Sequence, residues 1–166
     1  LADGRIAARG AAGTGGTVRL LGHQVGLVNA AQVDASGTTG GGTVLVGGDY
    51  QGKNPEVQNA ARTYVSADAT IKADASERGD GGKVVVWADE VTRYYGTISA
   101  KGGALGGNGG LVEVSGKQDL EFLGAVDVAA PMGTGGRVLL DPQDIVLNTS
   151  TQPAPPSNPN GTPDVA

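Results

Sequence analysis

Gly41-Gly42-Thr43-Val44-Leu45-Val46 decides the fold, because the same pattern returns along the chain. Gly15-Gly16-Thr17-Val18-Arg19-Leu20 comes before it, and Gly81-Gly82-Lys83-Val84-Val85-Val86 follows. Gly109-Gly110-Leu111-Val112-Glu113-Val114 and Gly135-Gly136-Arg137-Val138-Leu139-Leu140 complete the set. The first Val of each string falls at 18, 44, 84, 112 and 138, in steps of 26, 40, 28 and 26. A second marker, Ile or Val followed two residues later by a small apolar residue, lies between the strings: Ile6-Ala8, Val33-Ala35, Ile71-Ala73, Ile98-Ala100 and Val126-Val128. Its steps are 27, 38, 27 and 28. Two independent markers share one period and one long step, so the chain repeats itself and carries an insertion of about a dozen residues.

Each unit reads as two short period-2 strands with glycine corners. Alternation puts Val18, Leu20, Val44, Val46, Val84, Val86, Val112, Val114, Val138 and Leu140 on one face, joined by Ile71, Ile98 and Val126 from the second marker. Arg19 and Glu113 mark the opposite face as outward. No unit has enough apolar surface to stand alone, whereas stacking buries a continuous column. A β-sandwich would need hairpin turns every 8–12 residues and antiparallel neighbours. A unit of about 27 residues lays like beside like, so the expected fold is all-β: a parallel β-helix, or β-solenoid, of about five coils.

Composition agrees. Of 166 residues 30 are Gly, while Trp, Phe and Tyr number one, one and four, too few to fill a thick core. With no Cys and a single His (His23, expected at an exposed edge), disulfides, thiol chemistry and multi-His metal sites are excluded. No cofactor is expected. Twelve basic against seventeen acidic residues, a net charge of −5, argue against a nucleic-acid partner. The longest apolar run, Val84 to Ala88, is far short of the ~20 residues of a membrane span. The chain starts in mid-pattern at Leu1 and reads as a piece of something longer.

Several strings resemble bacterial filamentous-haemagglutinin-like exoproteins. They are Gly41 to Gly52, Asn59-Ala60-Ala61-Arg62-Thr63-Tyr64-Val65, Val85-Val86-Trp87-Ala88-Asp89, Val112-Glu113-Val114-Ser115-Gly116-Lys117 and Leu140-Asp141-Pro142-Gln143-Asp144-Ile145. The resemblance, over roughly residues 13 to 147, implies a right-handed β-helix in a secreted or surface-bound rod. It also implies export through an outer-membrane two-partner secretion transporter, and work as an adhesin, a biofilm or filament component, or a toxin stalk. The implied partners are that transporter, a host or neighbouring-cell surface (protein or glycan), and further copies of the chain. In that family an Asn-Pro-Asn-Gly motif stands near the start of the secretion domain. Here Asn158-Pro159-Asn160-Gly161 lies in the tail and reads as chance.

The expected layout is a solenoid over residues 1–148, with the insertion at about 47–65, and a Pro/Asn-rich linker over 149–166. Five of the eight prolines fall between 153 and 163. Asn148-Thr149-Ser150 and Asn160-Gly161-Thr162 match the glycosylation acceptor pattern. The insertion holds Tyr50, Tyr64 and Arg62 and reads as a flap over a coil edge, with recognition as the alternative. Removing Gln51 to Arg62 is then expected to leave the rod folded. Outward Leu45, Val85 and Leu139 form either a contact face or the surface that such a flap covers. Arg78-Gly79-Asp80 spells the integrin-recognised tripeptide, but the turn also needs these small residues for its geometry. Acidic pairs occur at Asp89/Glu90, Asp119/Glu121 and Asp141/Asp144, yet no basic column lines up with Asp119 and Glu121, and no catalysis is expected. Asp34 and Lys72 share an outward phase and are expected to pair across rungs.

Overall fold

The computed structural model describes residues 1–142, which wind into stacked coils. The first coil carries β1 (Arg5–Ala7), β2 (Thr17–Leu20) and β3 (Gln24–Leu27). The second carries β4 (Gln32–Asp34), β5 (Thr43–Val46) and β6 (Arg62–Val65). The third has β7 (Thr70–Lys72), β8 (Lys83–Ala88) and β9 (Val91–Tyr94), and the fourth β10 (Thr97–Ser99), β11 (Leu111–Gly116) and β12 (Asp119–Phe122). A fifth begins with β13 (Ala125–Asp127) and β14 (Arg137–Leu140). Three parallel sheets result, in the orders β1-β4-β7-β10-β13, β2-β5-β8-β11-β14 and β3-β6-β9-β12. The fold is a β-solenoid of about five turns. The linker over 149–166, both glycosylation patterns and the Asn-Pro-Asn-Gly string lie outside the described residues.

Register follows the repeat. Val18, Val44, Val84, Val112 and Val138 are successive partners, as are Ile6, Val33, Ile71, Ile98 and Val126. Stacking identical positions buries the column: Val44, Val46, Ile71, Val84, Val86, Ile98, Val112 and Val114 are sealed from solvent, and Leu20 and Val126 pack partly buried against them. Each fully buried branched side chain contributes about 1.5–3 kcal/mol. The paired glycines make the corner between the first two sheets. At Gly41 a Cβ would overlap the Ala73 carbonyl of the next coil, so only glycine lets the backbones approach there.

Four features differ from the sequence-based expectation. Each complete coil has three strands rather than two. Arg62–Val65 is ladder strand β6, so the extra residues of the second coil lie between Gly47 and Ala61. Glu113 is completely buried although its phase is outward. Val138 and Leu140, assigned to the core, are 46% and 40% exposed, because among the described residues no strand stacks beyond β14.

The third sheet also carries polar side chains inward. Thr63 and Thr92 are buried, and their hydroxyls donate to the Trp87 and Ser115 carbonyls at 2.7 and 2.8 Å. Tyr94 is enclosed against Phe122, the rings stacked 5.5 Å apart, and its hydroxyl has no hydrogen-bond partner among the described residues.

Candidate functional site

The insertion is a strap laid on the outer face of the second sheet. Asp49 starts it by accepting the Tyr50 amide at 2.7 Å, which sets up a single 3-10 turn over Tyr50–Gly52. Gln51 and Gly52 then take left-handed backbone, with φ of 55° and 60°. This conformation lowers Gly52 onto the indole of Trp87, where a Cβ would stand 2.5 Å from the ring. Val57 closes the strap by joining Leu45, Val85 and Trp87 in a second buried cluster, separate from the main column. The apolar outward phase is therefore covered at Leu45 and Val85 by the chain's own insertion, while Leu139 beyond them is half-buried.

Polar clamps fasten the strap. Lys83 on β8 pairs with Asp49 at 2.5 Å, and Asn54 donates to the other carboxylate oxygen at 2.8 Å. Burial works against ionisation of Asp49, yet the hydrogen bonds from Lys83, Asn54 and the Tyr50 amide outweigh it and hold its pKa down at about 2. Asp89 accepts both the Trp87 indole N–H, at 3.0 Å, and Asn59 Nδ2, at 3.1 Å. At the far edge, the Gln51 amide points between the two carboxyl oxygens of Glu113, at 3.0 and 3.2 Å, and Ser115 donates to one of them at 3.0 Å. Desolvation drives the Glu113 pKa upward, and the hydrogen bonds from Gln51 and Ser115 recover only part of the shift.

Of the six candidate recognition residues, the strap uses only Tyr50, whose ring lies 5.9 Å from the Lys83 ammonium. Arg62 and Tyr64 stand on β6 and face solvent from the third sheet. Arg62 pairs with Glu90 at 3.2 Å, and Tyr64 meets Tyr95 edge-on at 5.8 Å. Next in the ladder, Arg93 binds Asp119 at 2.6 Å and Glu121 at 3.0 Å. A basic residue does line up with that acidic pair, contrary to the sequence-based expectation, because the third-sheet register places Arg93 opposite Glu121.

The Arg78-Gly79-Asp80 turn is built into the stack. Gly79 has φ of +105°, its amide donates to the Gly106 carbonyl at 2.8 Å, and a Cβ there would overlap the Thr39 carbonyl. The Asp80 carboxylate accepts the Asn108 amide of the next coil at 2.7 Å, and Asn108 in turn accepts the Thr134 amide at 3.0 Å. Asp80 thus belongs to a corner ladder although it is exposed, as Arg78 is. Asp34 pairs with Arg9 at 3.4 Å and Arg5 at 3.9 Å rather than with Lys72, because both arginines reach across from the coil before it.

Trp87, Asp89, Asn59 and Glu113 went unread as strap residues. The available signal was parity: Val85 and Trp87 share the outward phase, and an indole so placed beside an insertion needs a cover.

Stacked parallel coils, glycine corners and one strapped flank define a rod segment built by repetition. Over 84% of its length the chain is similar to the solved HMW1 secretion domain from Haemophilus influenzae, with 32% sequence identity and a TM-score of 0.69. The chain spans 36% of the length of that solved chain. The likeness in both sequence and coil stack bears out the resemblance to the β-helical region of filamentous-haemagglutinin-like exoproteins. No protein-family model matches the chain, and no curated protein matches it significantly. Among the described residues, no helix is long and apolar enough to cross a membrane.

Proposed function

We propose that this chain is a structural, non-catalytic rod segment of a secreted bacterial surface exoprotein that leaves the cell through an outer-membrane two-partner secretion transporter. The observation that carries the proposal is its 32% identity, across most of its length, to a domain described as a secretion domain. The rod then supplies reach and an outer surface for attachment to a host or neighbouring cell. The acidic pair of a carbohydrate-active enzyme finds no support at Asp119 and Glu121. One guanidinium, Arg93, bonds to both, at 2.6 and 3.0 Å, so the two carboxyls belong to an ion-pair cluster on the exposed face of the third sheet.

The test is export. The chain, routed to the periplasm and fused to a reporter, is co-expressed with a two-partner transporter or with a transport-dead variant of it. Transporter-dependent appearance of the reporter in the medium is the expected result, and equal retention in both strains overturns the secretion reading. Attachment is tested separately, by binding of beads coated with the purified chain to cell monolayers. Sugar release from a polysaccharide panel would establish the enzymatic alternative instead.

A further inference from the structure

The strap ties together coils that are distant in sequence: Gln51, in the second coil, hydrogen-bonds Glu113, in the fourth. Glu113 is the one acidic residue among the described residues with no exposed surface. Its partners are unusual for a buried carboxylate. Both oxygens share one backbone amide, and one of them also accepts a hydroxyl. Lys83 favours ionisation through space, but its ammonium is already engaged by Asp49. Asp141, the residue after β14, is a like charge that works against ionisation, as does burial itself. The other ionisable groups here are Tyr50 and Lys53 on the strap and Arg137 on β14, which precedes by two residues the Leu139 in register with Glu113. Among the described residues, no guanidinium or ammonium bonds to the Glu113 carboxyl. A protonated carboxyl, by contrast, is fully satisfied at this position: its O–H is donated to Ser115 Oγ, 3.0 Å away, and its other oxygen accepts the Gln51 amide.

We propose that Glu113 makes the strap a pH-sensitive latch, whose closed form favours the protonated carboxyl and which loosens as that carboxyl ionises. Closure raises the affinity of Glu113 for a proton above that in the open form. The stability that this site lends to closure is therefore complete at pH below the ordinary glutamate range, and it is lost as pH rises through the elevated value. Each unit of that elevation makes the open-to-closed ratio about tenfold larger above the titration than below it. Opening uncovers Leu45, Val85 and Trp87, an apolar patch on the outer face of the second sheet. The latch does not depend on the secretion reading. It is a property of the coils in any protein that contains them.

Trp87, the single tryptophan, lies under the strap and serves as the reporter. Acrylamide quenching of the full chain is measured from pH 5 to 9 for the wild type and for Glu113→Gln, which keeps an acceptor for Gln51 but cannot ionise. Wild-type quenching is expected to rise with pH as a single-proton curve with its midpoint above the free glutamate value, while the variant stays protected throughout. A flat wild-type profile, or a variant that titrates like the wild type, overturns the latch. If the variant does not fold, carboxyl-carbon NMR of the wild type decides: a Glu113 midpoint at or below the free glutamate value overturns it equally.

Discussion

Val57→Asp separates the strap from the rod. Val57 is the only apolar side chain that the strap sinks into the cluster of Leu45, Val85 and Trp87, where it is 5% exposed. Losing that burial costs about 2 kcal/mol, toward the lower end for a branched side chain. The new carboxylate then has to stay under the strap unpaired, near Asp49 and Glu113, or escape to water. Burial can displace a carboxyl pKa by ~3 units or more, each worth about 1.4 kcal/mol, so escape costs less. Peeling the strap away also returns backbone entropy to its residues, about 1 kcal/mol or more for each one released. The main column does not share this cluster and remains stacked. The expected outcome is therefore local. Trp87 emission shifts red and becomes quenchable, trypsin cuts at Lys53, and the far-ultraviolet circular dichroism of the coils is retained. A tryptophan still shielded in the variant would refute the assignment of Val57 as the closing contact. A collapse of the whole β signal would show that strap and column form one cooperative unit.

The same geometry fixes three further outcomes. Val84→Asp puts a charge into the sealed column between Val44 and Val112, and should abolish cooperative melting of the coils as followed by circular dichroism. Tyr94→Phe removes a buried hydroxyl without a partner and should leave the melting temperature unchanged or raise it, with a gain of up to about 1 kcal/mol in denaturant titration. Asp49 is held at about 2, below the 3.8 of a free side chain, so its contribution of about 2 kcal/mol is present above pH 4 and is lost as pH falls toward 2. Asp49→Asn should flatten the stability profile over that range, and an unchanged acid limb would show that the Lys83 pair contributes nothing.

The coil stack was legible because two markers carried it independently, and every Val and Ile in those markers landed in its expected register. The third strand of each coil was not legible. Gln24–Leu27, Arg62–Val65, Val91–Tyr94 and Asp119–Phe122 share a position but no motif, since their inward sites alternate among Val, Thr, Leu, Tyr and Phe. That sheet was hidden by the tolerance of a solenoid corner for any side chain that fills the volume. Glu113 misled for a different reason. A charge is ordinarily a safe marker of the outward face, and outward it is. The solvent side of a strand becomes interior when a distant loop lies over it, and no local pattern records that. The Arg93 pair with Asp119 and Glu121 was missed along with its strand, because rung-to-rung partners can be counted only once the register is known.

The strap has a mechanical consequence. A solenoid pulled along its axis gives way by peeling one winding from the next, and each winding resists only through its own ladder of hydrogen bonds. Between the second and third windings the load must also pass through Asp49–Lys83 and Asn59–Asp89, and Gln51–Glu113 carries part of it on to the fourth, three short tethers from one strap. This stretch therefore acts as a splint, and a tear that starts at either tip of the rod is expected to stall there.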